Sequence, residues 1–226
     1  MHLNRIAVYI TIITMLMGVS ACANPGFGNK NQTGSDEAFE IMYEARSLED
    51  DDSVINKESL LDIAIVMEQL IVKAGKEKPE ISIAGDNRIR VSLSESNGDE
   101  LNEIKEVINK SFTLNLRNSK GVIEMDRYDF TRNQARVVYD FDNNPGVVTD
   151  FTDAAKFEEL TTRLMGQSVT INMGDFELTQ LLINAPITEG TALITAQSTY
   201  DQAKDLARMI NVGALPFELK ELTRKR

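Results

Sequence analysis

The residue pattern predicts an α+β protein of two similar halves, with no membrane-spanning domain once an N-terminal signal is removed. Three observations carry this. Short runs alternate apolar and polar residues, as half-buried strands do. Longer runs repeat apolar residues at three- and four-residue spacing, as amphipathic helices do. The two kinds of run then come in nearly the same order twice along the chain. With 42% hydrophobic and 26% charged residues among 226, the composition is that of a folded chain and not of a disordered one.

The N-terminal stretch MHLNRIAVYITIITMLMGVSAC opens with His2 and Arg5 and continues as an apolar run from Ile6 to Val19. A membrane span needs roughly 18 to 20 such residues, so this run is short for one and has the length of a secretory-signal core. It stops at Val19-Ser20-Ala21-Cys22, and Cys22 is the only cysteine. An ordinary signal peptide with an unrelated cysteine is one reading. The other rests on a resemblance: an aliphatic residue and two small residues before a cysteine are similar to the lipobox of bacterial lipoproteins. That likeness implies cleavage between Ala21 and Cys22 and a diacylglycerol thioether on Cys22, with N-acylation, by palmitate for example, in many bacteria. Residues 1–21 are then a signal peptide. Residues 22–37, rich in Gly, Asn and Ser, are a lipidated flexible tether spanning about 20–25 Å. Two or more acyl chains anchor a protein stably without spanning the bilayer, so the expected location is the extracytoplasmic face of the cell membrane.

Beyond Ala21 the chain has 23 basic and 35 acidic residues, a net charge of −12. Nucleic acid, whose binding needs basic contacts to phosphate, is excluded as a partner. The sole histidine, His2, leaves with the signal, and lipid consumes the cysteine. Serine–histidine triads, thiol catalysis and His/Cys zinc sites are therefore excluded. No cofactor is implied and no enzyme is expected.

The first half, residues 38–118, is read in order. FEIMYEAR alternates with Phe39, Ile41 and Tyr43 on one face, a strand. Residues 57–75 place Leu60, Ile63, Met67, Leu70 and Ile71 on one helical stripe before Gly75. EISIA and RIRVSL flank Gly85-Asp86-Asn87 as strand, turn and strand. DELNEIKEVINK carries the stripe Leu101, Ile104, Val107 and Ile108, and FTLNLR closes the set as a strand. The order is β-α-β-β-α-β, the ferredoxin-like split arrangement. The second half, residues 119–226, nearly repeats it: ARVVYDF as a strand, a helix over 151–165, SVTINM, FELTQLLI and GTALITAQ as strands, and a helix from Tyr200 to about Ile210. Thr199 and Gln202 form a capping-box pattern at that helix's start, and Gly213 fits the position just past its end. LPFEL reads as a closing strand.

Other groupings read as structure and not as chemistry. Glu49-Asp50-Asp51-Asp52 is a solvated charge run, and residues 140–146 are a turn whose proline stands where a calcium loop requires glycine. Met165 and Met173 read as core. Lys220, Arg224, Lys225 and Arg226 read as a soluble tail. No pair of carboxylates is positioned for acid–base work.

From about Phe39 to Leu219 the chain resembles the large extracytoplasmic domain of SecD and SecDF, accessory subunits of bacterial protein export. EKPEISIAGDNRIRVSL places Gly85, Asn87 and Arg88 in that family's hairpin. ITEGTALITAQSTYDQAKDLARMINVGALPFEL places Gly190, Gly213, Ala214, Leu215 and Pro216 in its most distinctive run. The resemblance implies structural roles for these residues: Arg88 beside a carboxylate, Gly213 at a helix end, Pro216 setting the chain direction. It implies as partners SecDF, the translocon or unfolded secreted polypeptides, met through strand edges and an apolar cleft. Departures are Ala196-Gln197, where the family has a glycine before an aromatic, and an end at Arg226, where a second membrane span would follow. Without such spans, coupling to proton flow is not expected. The competing expectation is a docking or regulatory lipoprotein of the envelope unrelated to export.

Overall fold

The computed structural model describes residues 39–51, 54–93, 98–195 and 199–222. The signal, Ala21, Cys22 and the tether lie outside the described residues, as do Asp52, Ala196, Gln197, Arg224, Lys225 and Arg226.

The first elements follow their sequence signals closely. Strand β1 (Phe39–Ser47) buries Ile41, Tyr43 and Ala45 on one face. Helix α1 (Lys57–Lys73) starts at Asn56, whose side chain accepts the amides of Glu58 and Ser59 at 2.9 and 3.0 Å. The Ser59 hydroxyl accepts the Asn56 amide in return, at 2.8 Å, a capping box with serine in the usual place of Glu or Gln. Strands β2 (Glu80–Ile83) and β3 (Arg88–Leu93) form a hairpin about Gly85, whose φ of +79° favours glycine. Helix α2 (Gly98–Ser111) buries Ile104 and Ile108. After it come β4 (Leu114–Asn118), β5 (Ile123–Asp126), a 3₁₀ turn at Arg127–Asp129, β6 (Arg136–Tyr139) and β7 (Pro145–Asp150). The chain continues through α3 (Ala154–Arg163), β8 (Ser168–Met173), β9 (Phe176–Leu182), β10 (Thr191–Ile194), α4 (Tyr200–Ala214) and β11 (Phe217–Leu222).

The class is α+β, as the pattern predicts, but the strand that closes the first sheet is a different one. That sheet has the order β11-β1-β3-β2. FTLNLR, expected to close it, is β4, the inner strand of a second sheet ordered β5-β4-β8-β9. Leu114, Asn115 and Leu116 of β4 are buried in succession, as befits a strand paired on both sides. β11 takes the vacant edge, antiparallel to β1 from Met42 opposite Leu222 to Ser47 opposite Phe217. A division between 118 and 119 would cut the β4–β5 hairpin. Alternation reveals a strand and its buried face, but not which edge it occupies.

The second half does not repeat the first in space. Its strands divide among the sheet ordered β5-β4-β8-β9, a three-stranded one ordered β10-β7-β6, and the edge of the first sheet, where β11 lies. β7 escaped the sequence reading because Pro145-Gly146 at its start reads as a turn. The helix expected over 151–165 begins at Ala154, because the Asp153 carboxylate accepts the Lys156 amide at 3.0 Å and caps it. Met165, expected in the core, is 58% exposed, whereas Met173 is fully buried. Two apolar cores result. One joins α1 and α2 to the first sheet, and the other joins α3 and α4 to the remaining sheets.

Candidate functional site: an apolar cleft between two sheet edges

The residues singled out by sequence occupy three places. Gly85 and Asn87 lie in the β2–β3 turn, and Arg88 opens β3. The Asn87 carbonyl accepts the Ala45 amide at 2.8 Å, and Arg88 stands opposite Glu44 on β1. The Glu44 carboxylate lies below its usual range, chiefly through Arg46 and to a smaller extent through Arg88 and the Asn87 side chain. Gly190 opens β10 with φ +67°, and its carbonyl accepts the Phe151 amide at 2.8 Å. A Cβ there would come within 2.9 Å of the Ala154 Cβ, so the residue must be small as well as left-handed.

Gly213 corrects the sequence reading. It lies inside α4, which runs on to Ala214 and is capped at Leu215. A Cβ at Gly213 would stand 2.9 Å from the Leu114 Cβ and 3.2 Å from the Met173 Cε. The glycine therefore serves close approach of α4 to the second sheet, not helix termination. Ala214, Leu215 and Pro216 lead into β11, and the Pro216 carbonyl accepts the Leu48 amide at 2.8 Å.

Beside this exit sits Arg127, a residue sequence reasoning missed. It is 8% exposed, and its guanidinium donates to the Leu215, Phe217 and Phe112 carbonyls at 2.9, 3.1 and 2.9 Å and to the Thr113 hydroxyl at 2.7 Å. Among the described residues no carboxylate lies within ion-pair distance of it. Burial lowers its pKa, against the opposing influence of Tyr128 and Asp126. One buried cation thus ties the strand leaving the first core to the strand returning to it. An arginine after an acidic residue in a loop carries no sequence signal for such a role.

None of these residues lines an apolar cleft of about 510 Å³, in the size range of ligand sites. Its floor holds Phe151 and Phe157, stacked with centroids 3.8 Å apart, together with Val169 and Ile171 of β8. Phe130 packs against Phe151 with centroids 4.9 Å apart. Its sides are the end of β9 with the chain that follows it, and β10. Leu182 and Leu193 are 56% and 51% exposed, so each offers apolar surface at the concavity. The lining contains no charged or titratable side chain, although 26% of the chain is charged. Such a site can hold apolar surface and make hydrogen bonds, but it cannot move protons. The one trace of it in sequence is Leu181-Leu182-Ile183, three apolar residues in a row where β9 should alternate.

Residues 127–217 match the family model for the SecDF P1 head subdomain. The matched stretch begins at Arg127 and ends at Phe217, the two partners of one hydrogen bond described above. The chain is 26% identical to protein translocase subunit SecDF of Bacillus subtilis over 96% of its own length and 32% of that protein. It is 29% identical to protein translocase subunit SecD of Dictyoglomus turgidum over 69% of its length and 38% of that protein. It therefore spans about a third of the length of these relatives. A crystal structure of SecDF from Thermus thermophilus, a translocon-associated membrane protein, shares the fold with a TM-score of 0.58 at 23% identity, over 80% of this chain and 30% of that one. Among the described residues, no helix is long and apolar enough to cross a membrane. The head match and the shared fold agree that residues 127–217 are similar to the SecDF P1 head subdomain.

Proposed function

We propose that the chain is an accessory of protein export that holds apolar stretches of unfolded preprotein in the cleft above Phe151 and Phe157. The observation that carries this reading is the uncharged cleft, walled by half-exposed Leu182 and Leu193, within the stretch that matches the SecDF head. Fully burying a leucine contributes about 1.5–3 kcal/mol, so covering two half-exposed ones supplies a modest, reversible gain. Weak capture suits a factor that must release its client. The anchor completes the proposal: a lipid on Cys22 would hold the domain at the membrane and raise its effective concentration near the export channel.

The test is photo-crosslinking in intact cells from positions 182 and 193, with Cys22→Ala as a mislocalised control. Secreted chains in transit or translocon subunits should be captured by the anchored protein and lost in the control. Capture of an unrelated envelope complex alone would favour the docking or regulatory alternative. Metabolic labelling with palmitate, abolished by Cys22→Ala, checks the anchor separately.

A further inference from the structure

The main chain around the cleft says how a guest would lie in it. β9 and β10 are each the last strand of their sheet. Just past β9, Ile183 donates to the Gln167 carbonyl at 3.0 Å and accepts from the Gly166 amide at 2.8 Å, so both of its backbone groups point toward the chain that leads into β8. The register continues with Leu181 opposite Val169 and Thr179 opposite Ile171. In an antiparallel pair these groups alternate in direction along the strand, so the N–H and C=O of Gln180 and Leu182 point away from β8. On β10, the Gly190 carbonyl accepts from Phe151 at 2.8 Å, and Ala192 and Ile194 follow opposite Thr149 and Val147. Thr191, Leu193 and Thr195 therefore point their N–H and C=O away from β7. All five outward-facing residues line the same cleft, and among the described residues no main-chain partner meets them.

We infer that the cleft receives its client as an added β-strand, hydrogen-bonded to Leu182 on one side and Leu193 on the other and joining the four- and three-stranded sheets. This rests on the reading above and narrows its substrate class to extended segments. Unpaired edges flanking an apolar floor match strand addition, in which main-chain bonds hold the guest and side-chain pockets select alternate residues. The lining's lack of charge sets the chemistry of the occupant. A charged side chain pressed into it would lose its hydration without a counter-ion, so the segment seated there alternates apolar with small polar residues. Helical segments, whose backbone groups are already satisfied, have nothing to give these edges.

The experiment uses the full chain and a twelve-residue peptide alternating valine with threonine, flanked by lysines for solubility. Compared with it are the same peptide N-methylated at every second residue and an unfolded secretory preprotein. The plain peptide should bind, and N-methylation should weaken binding at least tenfold. Leu193→Pro should weaken it similarly, because the lost N–H points outward and leaves the pairing with β7 intact. Leu193→Ala, which keeps that N–H, should weaken it less. Amide exchange at Leu182 and Leu193 should slow on binding. Equal binding of plain and N-methylated peptides would overturn strand addition while leaving the cleft as a client site. Binding of the preprotein without the peptide would also overturn it. Binding of neither would overturn the export reading itself.

Discussion

Arg127 shows how much of this molecule hangs on single side chains with no sequence signature. Replacing it with leucine would keep the bulk but leave the carbonyls of Phe112, Leu215 and Phe217 without the donor they share. Each buried acceptor left unmet costs about 1–3 kcal/mol, and the Leu215 carbonyl keeps the Phe217 amide at 3.0 Å, so Arg127→Leu should lower stability by at least about 2 kcal/mol in denaturant titration. Arg127→Lys should fall between the two, since an ammonium cannot reproduce the planar fork. Gly213 makes the opposite point, that a helix can need its worst former. Alanine gains about 1 kcal/mol over glycine in a helix, but overpacking costs about 1–3 kcal/mol. The obstruction at 2.9 Å is the Leu114 Cβ, fixed to its backbone and unable to swing aside. Gly213→Ala should therefore destabilise by roughly 1 kcal/mol, read as a lower thermal midpoint, where the helix-end reading would predict a different penalty from left-handed strain.

Among elements, the tie between α3 and β5 is electrostatic. Glu124 of β5 accepts from Arg163 of α3 at 2.6 Å and from Asn118 of β4 at 2.7 Å. The arginine is the main reason its carboxyl titrates below its ordinary value of 4.5. A carboxylate whose pKa is lower folded than unfolded binds protons more readily when unfolded. Its contribution is complete above the unfolded value and is lost as pH falls through the lower folded one. Stability should therefore drop as pH decreases below about 4.5, and Glu124→Gln should make the drop shallower, as measured by thermal midpoints across pH 2.5 to 7. The hairpin tip at residues 140–144, between β6 and β7, is held by hydrogen bonds to a carboxylate. The Asp140 carboxylate accepts the Asn144 amide at 2.8 Å and the Asp142 amide at 2.9 Å, which lowers its pKa. That network confirms a turn built by an Asx motif.

At the scale of the whole molecule, the acidic charge and the neutral cleft have separate consequences. A net charge of −11 opposes self-association and repels anionic lipid headgroups. The cleft contributes nothing to that field, so client binding there should depend on apolar contact and main-chain bonds. Raising salt from 0.05 to 0.5 M should change affinity for an unfolded client less than about threefold, since screening acts on charges. Leu182→Ser with Leu193→Ser should weaken the same binding about tenfold, through two lost apolar contacts of about 0.8 kcal/mol or more each. Both side chains are already half exposed, so the thermal midpoint should hold, which separates a binding role from a folding one.

Local pattern alone was enough for the α+β class, for the helix stripes of α1, α2 and α4, for the alternation of β1 and β3, and for the Thr199–Gln202 box that starts α4. These depend on neighbours within a few residues, and periodicity records such neighbours. The likeness to the SecD head was legible too, because it is carried by short runs such as Gly213-Ala214-Leu215-Pro216. Only the tertiary structure decided that β11 and not β4 closes the first sheet, that Gly213 packs and does not cap, and that Arg127 binds the crossing strands. It also decided that β9 and β10 turn their free edges to one cleft. Each of those depends on which distant segments meet, and strand pairing between residues 178 and 170 positions apart, as between Tyr43 and Ser47 of β1 and their partners Glu221 and Phe217 on β11, leaves no periodic mark on either segment.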